Sequence, residues 1–265
     1  MRSTWALLAA HRDFRRLFLA NVVSLAGDWF SYVAVASLVT ELTGRPGAAA
    51  YVYAAGVLPM FLAAPAAGVV ADRFDRRRTL ILVDALRVPI AAAMSLAALW
   101  GSAPLAIALT IALAVGASFS DPIANAGTPN LVPARDLAHA QAVMGAVWGS
   151  MLLVGAGLGG VVADLLGRHA AFALDAASFA VSGWLIAGIR TPLQEPRQRD
   201  APDAPTGTVR EALAYIRGEP RTLRLVFAKV GVSSANGIVG LLPAFAAARF
   251  SGRQARSEEH TSELQ

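Results

Sequence analysis

The sequence predicts an all-α membrane protein, a bundle of transmembrane helices with little soluble mass. Three observations carry this. Apolar residues make up 55% of the 265-residue chain and charged residues only 15%, where soluble domains run near ~25% charged. Charge is also unevenly placed: long blocks hold almost none, and the bridges between them hold nearly all of it. Finally, those blocks reach the about 20 residues a helix needs to cross ~30 Å of hydrocarbon.

Taken in order, the first span is predicted over 17–40. It is too long for a signal peptide and holds Asn21 and Asp28. Further spans are predicted over 48–71, 79–100, 104–126, 137–163, 170–190 and 222–248. Several contain Gly or Pro, which lipid tolerates because neighbouring helices satisfy the freed backbone groups. Residues 1–190 thus form a six-helix bundle. The stretch 191–221, with Pro192, Pro196, Pro202 and Pro205, reads as a connection. Thr208 and Glu211 form a capping-box signature, and Val209, Leu213 and Ile216 share one face of a short amphipathic helix. Residues 222–251 supply a seventh helix, the first of a second bundle. Residues 252–265 form a tail whose 256–265 segment, Arg-Ser-Glu-Glu-His-Thr-Ser-Glu-Leu-Gln, looks like a translated sequencing adapter. The expectation is a truncated chain.

Arginine placement orients the bundle. With the N-terminus in the cytoplasm, sixteen arginines of residues 1–224 fall inside and two, Arg45 and Arg168, outside, as the positive-inside rule requires. The formal charge of +5 therefore reflects membrane topology, and no nucleic-acid partner is expected. Cysteine is absent, the four histidines are scattered, and no phosphate-binding loop occurs. Thiol chemistry, a zinc box and ATP hydrolysis by a P-loop are excluded on those grounds, and no metal or cofactor is expected. No nucleophile stands with a base, so the chain does not read as an enzyme.

Gly68-Val69-Val70-Ala71-Asp72 closes the second span, and the same pentapeptide, Gly160 to Asp164, closes the fifth. A repeat three spans apart fits an inverted three-plus-three architecture. Ionisable residues inside spans cost at least ~2.5 kcal/mol and are functional candidates by default. Asp28, mid-span, must pair, face water or take up a proton. Asp84 and Arg87, three apart, share a helix face and are expected to pair with each other, Arg87 reaching toward the cytoplasmic surface. Asp175 is placed near the outer membrane end, within reach of water. Asp121-Pro122 reads as a bend. In the fifth span, Gly145, Gly149, Gly155, Gly159 and Gly160 allow close helix approach.

The most specific motif is Gly68-x-x-x-Asp72-Arg73-x-Asp75-Arg76-Arg77-Arg78. It couples a helix end, an acid and a basic turn whose arginines are expected to face anionic headgroups. The segment resembles the signature loop between the second and third helices of the major facilitator superfamily. Phe14-Arg15, Gly27-Asp28, Pro129-Asn130-Leu131-Val132-Pro133 and Asp175-Ala176-Ala177-Ser178-Phe179 extend the likeness to the bacterial branch with macrolide-efflux and enterobactin-exporter proteins. It covers 1–251, the N-terminal half of a twelve-helix transporter. Two departures separate the chain from drug antiporters. Ala156 stands where their fifth helix carries Pro, and 104–126 holds no Arg.

The resemblance implies a multi-pass protein of the bacterial inner membrane. It would export small organic molecules, of drug or siderophore type, by proton-coupled alternating access. Its partners would be the bilayer, the substrate and a missing C-terminal six-helix half. Asp28, Asp84, Arg87 and Asp175 are the proton-coupling or transport candidates, and the 68–78 loop is implied to gate the cytoplasmic side. Alone, the chain is expected to be inactive. The rival is a non-transport single-bundle module, a sensor or assembly subunit.

Overall fold

A computed structural model of the chain describes residues 4–45 and 47–194, with 218–221 and 223–224 beyond them. The expected amphipathic helix around 208–216, the seventh span over 222–248 apart from Leu223 and Arg224, and the tail lie outside the described residues.

Among the described residues, seven α-helices follow in order: α1 (Thr4–Ala10), α2 (Arg12–Thr43), α3 (Ala48–Arg73), α4 (Arg76–Leu99), α5 (Ala103–Gly127), α6 (Ala134–Leu165) and α7 (Arg168–Ala187), with a 3-10 turn at Thr128–Asn130. No strand occurs among the described residues. Helices α2, α3, α4, α5 (with the 3-10 turn) and α7 are long and apolar enough to cross a membrane. Each predicted span within 1–190 falls on one of the six long helices.

Helix ends follow local chemistry. Gly44 stops α2 in the left-handed region at φ 64°, its N–H donating to the Thr40 carbonyl. Asp75 starts α4 by accepting from the Arg78 N–H at 2.7 Å. Ser102 does the same for α5 by accepting from Leu105 N–H. Prolines 59, 65, 89 and 122 sit inside helices that continue through them. Helix α2 begins before its predicted span because Phe14 and Leu17, fully buried, carry its charged first turns into the core.

Helix α2 packs most extensively on α7 and also on α6, α4 packs on α7 and α5, and α3 packs on α5. Two apolar clusters result. One, at the arginine-rich end, gathers Phe14, Leu17, Leu80, Ile123 and Ile189. The other gathers Val35, Leu38, Val52, Met94 and Phe172. Along α2 and α4, Asp28 and Arg87 fall between them.

Candidate functional site

That polar layer opens into a cavity of about 800 Å³ lined by α2 to α7. Its walls are mainly apolar and aromatic, with Trp29, Tyr32, Tyr53, Trp148, Met60 and Met94 among them. Into it project four carboxylates, Asp28, Asp84, Asp121 and Asp175, and one guanidinium, Arg87.

Arg87 is 3% exposed and donates to Asp28 Oδ1 at 2.6 Å. It also reaches Ser24 Oγ at 3.4 Å, and its guanidinium carbon lies 3.8 Å from the Phe179 ring centroid, a cation–π geometry. Gly116 makes room for it: a Cβ there would meet Arg87 Cδ at 2.9 Å. The expected Asp84–Arg87 pair is therefore replaced by one between helices. Arg87 turns across to α2 instead of reaching out along α4, because a buried guanidinium needs a counter-charge that the facing helix supplies.

Asp84 is buried, with the Ser182 hydroxyl beside it, but its Oδ2 completes no hydrogen bond. Asp175 is fully buried, contrary to the expectation of a water-accessible membrane end. It sits where α7 crosses α2. Gly27 permits that crossing, since a Cβ there would fall 2.1 Å from Ser178 Oγ and 2.9 Å from Asp175 Oδ1. Ser31 lies beside Asp175, yet neither carboxylate oxygen completes a hydrogen bond. Asp121, expected to shape a bend, instead lines the cavity because α5 stays helical through Pro122 to Gly127. The signal was present: Thr110, Ala114, Ala117, Asp121 and Ala124 recur at three- and four-residue steps and all face the cavity.

In the 68–78 loop, Arg76 donates from Nη1 to the carbonyls of Ala126 at 2.8 Å and Leu193 at 3.1 Å, and from Nε to Ala71 at 3.1 Å. Arg77 donates to the carbonyls of Ile186 and Ala187. These two arginines cap the ends of α5 and α7 rather than facing headgroups. Asp72, Arg73 and Arg78 are exposed. No described atom lies within 4 Å of a Cβ built on Gly68. Beside the loop, Asp13 escaped sequence reasoning. Its Oδ2 accepts from the Arg190 and Thr191 N–H groups and the Thr191 hydroxyl at 2.8–3.1 Å.

The α6 glycines divide. Gly155 and Gly159 pack against Trp29, with a Cβ on Gly159 falling 2.9 Å from the Trp29 carbonyl oxygen. A Cβ on Gly145, Gly149 or Gly160 would meet no described atom within 4 Å.

Comparison with known proteins agrees with this geometry. Residues 2–256 match the family described as transmembrane secretion effector. The uncharacterized MFS-type transporter YkuC of Bacillus subtilis is 26% identical over 95% of this chain and 60% of its own length. The multidrug efflux pump Tap of Mycobacterium tuberculosis is 27% identical over 76% of the chain and 50% of its own. Macrolide efflux protein A of Streptococcus pyogenes is 22% identical over 77% and 51%. The chain thus spans about half the length of the curated relatives it matches. No solved structure matches it significantly. A multi-pass helical bundle, a charged layer in its interior and a match across nearly its whole length make the chain a member of the transmembrane secretion effector family of MFS-type transporters.

Proposed function

We propose that the chain forms one wall of a bacterial inner-membrane exporter of small organic molecules, of drug or siderophore type, driven by proton exchange. The observation that carries this is the Asp28–Arg87 pair, set with three further carboxylates in an otherwise apolar cavity. Ionisable groups at that depth are costly and mark transport pathways. A proton taken up by Asp28 would remove the charge that holds Arg87 and loosen α2 from α4. That is a bistable contact of the kind alternating access needs.

Six helices of residues 1–190 span the membrane in this reading, with the N-terminus cytoplasmic. The packing pairs support an inverted three-plus-three arrangement. Exchanging α2, α3, α4 with α5, α6, α7 maps α2–α7 onto α4–α5 and α2–α6 onto α3–α5. Residues 191–221 connect to a second six-helix half that begins at 222–251 and closes the cavity. The efflux names of Tap and macrolide efflux protein A support the direction.

The test compares the 265-residue chain with a version completed by a second half, each in proteoliposomes under an imposed pH gradient. Gradient-driven movement of a macrolide or dye by the completed protein alone is the expected result. Transport by the 265-residue chain alone, or none by either, would overturn the proposal.

A further inference from the structure

The charge of the cavity separates two substrate classes that the exporter reading leaves together. Among the described residues, four carboxylates face it against one guanidinium. That guanidinium is already engaged: it is 3% exposed, bonded to Asp28 and stacked on Phe179. An anionic substrate would find no free cation among the described cavity residues and would meet several acids in a medium that screens poorly.

The acids are not equivalent. Asp28 is neutralised by Arg87. Asp175 is completely buried, lines the cavity and completes no hydrogen bond with either oxygen. Asp84, 3% exposed, leaves Oδ2 unsatisfied in the same way. Buried polar oxygens without donors are costly and rare, and each such group calls for an explanation. An incoming positive charge supplies one. Trp29 and Tyr32, edge to face at 5.6 Å, line the same cavity and add aromatic surface to it. The volume of about 800 Å³ falls in the range of drug-sized pockets.

We propose that this cavity takes lipophilic organic cations, with Asp175 and Asp84 as the counter-charges, and rejects anionic siderophore-type molecules. The inference rests on the exporter reading for its biological use, but binding tests it separately.

The probes are tetraphenylphosphonium and tetraphenylborate, ions of like size and shape and opposite charge. Each is titrated against the completed protein in nanodiscs, with empty nanodiscs as the blank. The expected result is saturable binding of the phosphonium and none of the borate. Asp175→Asn and Asp84→Asn each weaken phosphonium binding about tenfold, the loss of one desolvated charge contact. Borate binding as tight as phosphonium binding would overturn the proposal. So would unchanged phosphonium affinity in both variants.

Should the variants fail to fold, the unaltered protein still decides. Phosphonium, and not borate, is expected to protect Asp175 or Asp84 from a hydrophobic carbodiimide, with modification mapped by mass spectrometry. Equal labelling with and without phosphonium would refute the assignment. Selective phosphonium binding without gradient-driven export would sink the exporter reading alone. Export of another class without phosphonium binding would sink this inference alone.

Discussion

Asp28→Asn is the substitution that most directly probes the charged layer. It keeps side-chain volume and a carbonyl acceptor for Arg87 while deleting the counter-charge. Removing one partner of a buried ion pair costs about 3–5 kcal/mol. Asp28 keeps 31% of its side chain accessible from the cavity, so part of the attraction is screened, and the amide oxygen retains one hydrogen bond. Those two effects bring the expected loss to about 2–3 kcal/mol. At roughly 2–4 °C per kcal/mol for a chain near this size, the melting temperature falls by about 4–12 °C. Arg87→Met removes the other partner, and the double variant closes the cycle. A coupling of about 1–3 kcal/mol is expected from thermal or chemical unfolding of the three variants. Additivity within ~0.5 kcal/mol would refute the reasoning, because the 2.6 Å contact would then carry no net energy.

Four further substitutions follow from contacts made or lacking. Gly27→Ala places a Cβ 2.1 Å from Ser178 Oγ and should cost about 1–3 kcal/mol of stability through overpacking. Gly145→Ala meets no described atom within 4 Å and should be neutral or stabilise the chain by up to ~1 kcal/mol through helix propensity; the same melting assay reads both. Arg76→Ala frees the carbonyls of Ala126 and Leu193 and should raise hydrogen exchange at the end of α5, with a loss of about 1–3 kcal/mol. Arg73→Ala, at an exposed position, should stay within ~0.5 kcal/mol.

Much of the fold was legible because hydropathy reports burial in lipid directly. All six predicted spans within 1–190 lie on observed helices, with differences only at the ends. The ends moved where amphipathic turns carry a few buried residues, as at Phe14 and Leu17 in α2. Helix α1 went unseen because seven residues are too few to show a period. Its only trace is buried Leu7 and Leu8 beside exposed Trp5.

The candidate site was legible in composition but not in pairing. Asp28, Asp84, Arg87 and Asp175 stood out as charges inside spans, and all four reach one cavity. Spacing along one helix says which residues share a face. It does not say which helix that face meets, so Arg87 was assigned to Asp84 on its own helix when α2 held its partner. The same limit hid the capping roles of Arg76 and Arg77, whose acceptors at the ends of α5 and α7 lie 50 and 109 or more residues away in sequence. Asp121 was lost to the bend signal of the proline after it.

The central claim is that proton exchange at the Asp28–Arg87 layer drives export through this cavity. The direct measurement is simultaneous proton and phosphonium flux in proteoliposomes holding the completed protein, with Asp28→Asn beside it. The account predicts that protons enter as the cation leaves, and that the substitution abolishes both fluxes while binding persists. Cation efflux that ignores the pH gradient, or that proceeds undiminished in Asp28→Asn, would contradict it.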